Sequence, residues 1–286
     1  MANIRLIKGR IKSAKNISQI TKAMELVAAA KMRKAQAAAL SGKLYAQKIY
    51  DMVMELASRT TAPTHPLLKP HTQVTGKRLV VLLSSNKGLC GGLNTTLFRF
   101  FIQQYDAKAD LQAVTLGKKG AAFLAYQKKE LIADFSHASS FLTVVPALGD
   151  LIREKYISGE VDGVDLVYNE FINVVKQEPK KKTILPLTVE GLDVKEKPKS
   201  SEMKIEPSID EVFDLLLPHY LENQIRDAVL QAEASEHSAR MVAMRNATDN
   251  ALSLVDDLTL VYNKARQEKI TYEITDLITA SMTVSV

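Results

Sequence analysis

The residues best placed to do chemistry are Asn86-Lys87-Gly88-Leu89-Cys90-Gly91-Gly92. A glycine-rich turn between a strand and a helix is where backbone amides and a helix N-terminus hold phosphate groups. The stretch follows neither the G-x-x-x-x-G-K-[ST] nor the G-x-G-x-x-G spacing, so no complete phosphate cradle is present. Gly88, Gly91 and Gly92 are therefore expected to shape a structural turn. Leu116-Gly117-Lys118-Lys119-Gly120 is a weaker version of the same pattern. A catalytic thiol needs a positioned base, and nothing recognisable serves Cys90, the single cysteine. His65, His71, His137, His219 and His237 are scattered, with no pair at metal-ligand spacing on one helix face. The acid pairs Asp256-Asp257 and Glu160, Asp162 fit a solvated surface. No catalytic residue, no cofactor and no metal is expected.

Basic residues gather near the start, at Lys8, Arg10, Lys12, Lys15, Lys22, Lys31, Arg33 and Lys34, in a chain of net charge +6. Such charge suits an acidic partner. Nucleic acid is disfavoured, because residues 1–44 hold no aromatic to stack a base and no basic region precedes a zipper. One cysteine forbids an internal disulfide. The start lacks an apolar signal segment, and the longest aliphatic run, residues 79–83, is far too short to cross a bilayer. Membrane association is expected through partners alone.

These side chains must be positioned by two kinds of element. Residues 3–57 lack Pro, and Ile4, Ile7, Ile11, Ala14, Ile17, Ile20, Met24 and Val27 recur three or four apart, which predicts a helix stripe. Ala crowds residues 28–39, favouring a thin, smooth helix. Pro63, Pro66, Pro70 and Gly76 mark a linker. Strands are expected near 79–83, 113–116, 131–135 and 164–168, and helices near 94–105, 118–127 and 147–158, an alternation that implies an α/β layer with a largely parallel sheet. A hairpin is expected from 171–176 and 183–189 about the basic turn 178–182, with an exposed loop at 193–204. Ser208 and Glu211 have capping-box spacing, and Pro218 is expected to kink the first turns of a final helix.

Met241, Met244, Thr248, Ala251, Val255, Leu258, Tyr262 and Ala265 follow a coiled-coil repeat that stops at Arg266, and Ile270, Ile274 and Leu277 start a new stripe. The expected organisation is a helix at 1–58, a linker at 59–76, a Rossmann-like α/β domain at 77–207, and a helix at 208–286 that pairs antiparallel with the first. Helices of ~80 and ~115 Å have little to do inside an ordinary enzyme. On residues alone, an enzyme using the 88–92 turn and a static coiled-coil scaffold remain open.

Four segments carry a resemblance. Lys15-Asn16-Ile17-Ser18-Gln19-Ile20-Thr21-Lys22-Ala23-Met24-Glu25, Gly88-Leu89-Cys90-Gly91-Gly92-Leu93-Asn94, Ala234-Ser235-Glu236-His237-Ser238-Ala239-Arg240-Met241 and Tyr262-Asn263-Lys264-Ala265-Arg266-Gln267 resemble, in order, the γ subunits of bacterial-type F-type ATP synthases. The chain departs from that pattern at Ala280-Ser281 and at Ile205 before Glu206-Pro207. With Cys90 alone it lacks the Cys pair of the redox-switched chloroplast type. The resemblance implies a non-catalytic rotor whose coiled coil lies in the bore of alternating α and β subunits. Its α/β domain would bind the ε subunit and the membrane c ring, at the cytoplasmic face of the bacterial inner membrane. Rotation driven by proton flow would drive ATP synthesis on β. The resemblance also implies β contacts at Lys22 and Met24, beside acidic loops, and at Arg266 and Gln267.

Overall fold

The computed structural model describes residues 4–59, 65–68, 75–105, 110–138, 140–187, 206 and 208–284. Two compact units emerge: Ala29–Ala239, and Met1–Ala28 with Arg240–Val286. Helices α1 (Ile4–Arg59) and α5 (Ile209–Val284) each contribute to both.

The larger unit is built on a five-stranded sheet of β1 (Arg78–Leu83), β2 (Leu111–Leu116), β3 (Glu130–Asp134), β4 (Gly163–Phe171) and β5 (Gln177–Leu185), in the order β3-β2-β1-β4-β5. The first four are parallel and β5 runs antiparallel to β4. Helices α2 (Leu93–Gln104), α3 (Lys118–Tyr126) and α4 (Val145–Ile157) connect them. β1 is central because Leu79-Val80-Val81-Leu82-Leu83 is apolar on both faces, as a strand covered on both sides must be. Alternate residues serve two cores. Leu79, Val81 and Leu83 pack with Leu148 and Ile152 of α4 and with Phe213, Leu217, Leu221 and Ile225 of α5. Val80 and Leu82 pack with Leu97 and Phe101 of α2 and Leu124 of α3.

The expected hairpin is displaced. Its strands are β4 and β5, and the turn lies at residues 172–176, where Asn173 Oδ1 accepts from the Val175 and Lys176 amides at 2.9 and 2.8 Å. Lys180, Lys181 and Lys182 belong to β5, not to a turn. β5 is an edge strand, and charged side chains there discourage pairing with another chain. Ser208 Oγ accepts from the Glu211 amide at 3.3 Å, as a cap does, and α5 continues through Pro218. The loop expected at 193–204 and the linker prolines Pro63 and Pro70 lie outside the described residues.

In the smaller unit α1 and α5 pair antiparallel. Thr21 Oγ1 lies 2.7 Å from Thr248 Oγ1, and Glu25 Oε1 lies 3.4 Å from Arg245 Nε, so one number rises as the other falls. The expected α1 stripe is corrected beyond Ala14. Covered positions continue as Ser18, Thr21, Glu25 and Ala28, whereas Ile17, Ile20 and Val27 are more than half exposed. A seam between two helices follows a strict seven-residue repeat. That repeat leads from Ile4, Ile7, Ile11 and Ala14 into polar residues and leaves the flanking aliphatics outside.

Candidate functional site

The turn after β1 is pinned from within: Ser85 and Cys90 are buried, whereas Lys87, Gly88, Leu89, Gly91 and Gly92 are exposed. Asn94 Nδ2 donates to Ser85 Oγ at 2.7 Å and to Cys90 Sγ at 3.4 Å, while Asn94 Oδ1 accepts from the Ser85 amide at 3.3 Å. Gly91 has φ +60°, the left-handed region that glycine enters freely, and Leu89 shares it at +62°. Gly88 has ordinary φ, and Gly92 caps α2 with its carbonyl accepting from Thr96 N at 2.9 Å. The Gly117 turn closes on this corner: Ser84 Oγ accepts from Gly120 N at 2.7 Å, and Asn86 Oδ1 from Lys118 N at 3.0 Å.

In an open α/β sheet, ligands bind outside the strand C-termini where the strand order reverses. Here that point lies between β1 and β4, and α5 fills it. Ser84, Ser85 and Asn169 meet Ala232, Glu233 and Glu236 around a cavity of about 10 Å³, room for one water rather than a nucleotide. Glu233 is pushed above the usual carboxylate range by burial and by Glu236, against the pull of Lys31 and Lys34. Three polar rungs bind α5 to β4 and its hairpin. Ser235 Oγ donates to Asn169 O at 2.9 Å, Ser238 Oγ to Val174 O at 2.6 Å, and Gln231 Oε1 accepts from Phe171 N at 3.3 Å.

At the other end of the sheet Asp165, fully buried, accepts from Arg78 Nε and Nη2 at 3.0 and 2.8 Å, Thr183 Oγ1 at 2.6 Å and Tyr105 OH at 2.9 Å. Lys181 lies 3.4 Å from the same carboxylate and stacks over the Tyr105 ring at 4.7 Å. Burial would raise the Asp165 pKa, but the bonds from Arg78 and Thr183 hold it below the usual range. Burial and the Asp165 charge push the Tyr105 phenol up. Every oxygen is committed to neighbours, so the cluster ties strands together rather than meeting a substrate. Among the described residues no group of three or more His, Cys, Asp or Glu is placed to hold a metal.

The helical pair offers surface rather than cavity. Lys22, about half exposed, donates to Glu25 Oε2 at 2.9 Å, and Glu25 itself is buried between Lys22 and Arg245. Met24, on the same helix, is half-buried. On α5, Met244, Thr248, Ala251 and Val255 are buried, Leu258, Tyr262 and Ala265 half-buried, and every residue from 266 to 280 is exposed. In this register Ile4, the first described residue of α1, stands level with Ala265. Arg266, Gln267, Ile270, Tyr272, Ile274 and Leu277 all stand in the open. Thus the four predicted contact residues divide between two places, Lys22 and Met24 on the paired stretch and Arg266 and Gln267 on the bare one. The three turn glycines form the separate corner after β1.

Sequence patterns did not single out Gln231, Ser235, Ser238 or Asp165. Ser235 and Ser238 sit inside a recognised segment, but their bonds reach a strand and a turn more than sixty residues away, beyond any local spacing. Among the described residues no helix is long and apolar enough to cross a membrane.

The family profile described as ATP synthase matches residues 3–284. The ATP synthase gamma chain of Herpetosiphon aurantiacus is 42% identical over 290 residues, covering 97% of each chain. That of Opitutus terrae is 41% identical over 294 residues, covering 98% of each. Among solved structures, a chain of the Euglena gracilis mitochondrial ATP synthase superposes with a TM-score of 0.65 at 21% identity, covering 98% of this chain and 94% of its own. A central-stalk chain of the Tetrahymena thermophila enzyme gives 0.58 at 24% identity, covering 80% and 99%. At those identities the two structures speak to the fold.

Proposed function

The chain belongs to the ATP synthase gamma-chain family, and from that premise we propose how it works: as the central-stalk rotor that couples turning of a membrane c ring to the conformational cycle of catalytic β subunits. It is a rotor subunit, and nucleotide chemistry belongs to β. Its partners are the α and β subunits, the ε subunit and the c ring, at the cytoplasmic face of the bacterial inner membrane, reached through those partners.

The observation that carries this reading is the end of the heptad burial at Ala265, after which α5 runs on bare from Arg266. A helix that exposes Ile270, Tyr272, Ile274 and Leu277 to water has an external surface to meet. Arg266 presents a planar fork suited to a carboxylate, and Gln267 both donates and accepts, which fits polar contact with a loop of β. Lys22 and Met24 lie beside acidic β loops, and Gly88, Gly91 and Gly92 serve only the fold of their turn. Domain limits at 58, 76 and 207 fit a division of labour between shaft and foot.

An asymmetric shaft acts by preferring one state of each β subunit over another. Moving a site from 1:99 to 99:1 takes about 5.5 kcal/mol of preference, within reach of a few desolvated polar contacts. Purification of the tagged chain from its membranes tests this: α, β and this chain should recover in a three-to-three-to-one ratio. Recovery without α and β would overturn it.

A further inference from the structure

Gln231, Ser235 and Ser238 lie four and three residues apart, on one stripe of α5. Both serines are fully buried. A hydroxyl inside a helix ordinarily bonds its own helix one turn back. The later threonines of α5 do this: Thr248, Thr259 and Thr271 donate to Met244, Val255 and Gln267 carbonyls at 2.7 to 3.0 Å. Ser235 and Ser238 instead reach outward, to Asn169 O and Val174 O. The hairpin that receives them is held for the purpose. Asn173 Oδ1 accepts two amides of the turn, and Gln177 Nε2 donates to the Asn173 and Val174 carbonyls at 3.2 and 3.1 Å and to Ser238 Oγ at 3.5 Å.

The mechanical consequence follows from directionality. The first half of α5 adheres to the sheet through Phe213, Leu217, Leu221 and Ile225, apolar contacts that resist separation but are non-directional. Hydrogen bonds weaken steeply as they bend, so rungs to a fixed strand resist turning of the helix about its own axis.

We propose that Gln231, Ser235 and Ser238 form a clamp that fixes the rotational phase of α5 against the α/β layer and passes torque between them. The inference rests on the rotor reading above. The three are positioning residues, and the substrate of their action is mechanical.

The test uses the full chain assembled with α and β, with a probe on Tyr126→Cys, a position 84% exposed. With the ring immobilised and nucleotide withheld, the angular variance of the probe is recorded. The Ser235→Ala, Ser238→Ala variant should raise that variance by up to about threefold, since two of three directional rungs are gone, while unloaded ATP-driven turning keeps its rate. Gln231→Met, which keeps length and loses the acceptor, should give a smaller rise and decides the matter if the double variant fails to assemble. Wild-type variance in an assembled variant overturns the clamp alone. A wild-type probe that never turns with ATP overturns the rotor reading and the clamp with it.

Discussion

Thr21 and Thr248 share a hydrogen bond of 2.7 Å between their hydroxyls, although they are 227 residues apart in the chain. Thr248 donates its own proton to Met244 O at 2.9 Å, so the Thr21 hydroxyl is the donor of the shared bond. A matched polar pair fixes register, because sliding by a heptad would leave each hydroxyl facing an apolar side chain. Thr21→Cys with Thr248→Cys should therefore form a disulfide on mild oxidation of the full chain, with Cys90 buried and silent. Cross-linking confined to a pair displaced by one heptad would contradict the register.

Asp165 makes stability depend on acid. Its folded pKa lies below the ordinary value, so its contribution is fully present above about pH 3.9 and is lost as pH falls through the lower folded value. Asp165→Ala should cost about 3 kcal/mol near neutrality, the lower end for a broken buried pair because Arg78 keeps partial access to water. Urea unfolding of both forms should show the gap narrowing as the pH is lowered below about 4. A gap unchanged down to full acid would contradict the assignment.

The closing of the two sheet-end turns depends on Gly117. A Cβ there would lie 2.1 Å from Ser84 O, on a backbone with φ +116°. Gly117→Ala should lose at least about 2 kcal/mol, whereas Gly88→Ala, which meets nothing within 4 Å, should stay within about 0.5 kcal/mol of wild type. Thermal unfolding of the pair checks the contrast, and equal midpoints would contradict it.

These sites differ in how far the sequence exposes them. The β1 core strand is a continuous aliphatic run and the coiled-coil end at Ala265 is a heptad that stops, so both are legible from spacing. The α1 seam misleads beyond Ala14, because aliphatic identity points to Ile17 and Ile20 while the seven-residue repeat selects Ser18, Thr21 and Glu25. Three adjacent lysines resemble a turn, yet edge strands favour charge, so the hairpin shifts. The Asp165 cluster draws on β1, β4, β5 and the end of α2, and no local pattern encodes such a meeting. The clamp serines are hidden for the same reason.

Met24→Lys places a new cation at a half-buried position of α1, where acidic loops of β are expected. Proton pumping per ATP hydrolysed by membrane vesicles should fall, with hydrolysis retained. Unchanged pumping would contradict contact there.

Arg266→Ala with Gln267→Ala should lower ATP synthesis in a complex that still assembles. If a desolvated acidic partner is left unpaired, the cost is of order 2–5 kcal/mol. Wild-type synthesis rates would mean that the pair is merely solvated.

A probe fixed to Tyr126→Cys, on an immobilised complex of this chain with α and β, reports directly whether the chain turns inside a catalytic ring. On addition of ATP the probe should turn stepwise in one direction. ATP hydrolysis at full rate with the probe stationary would contradict it.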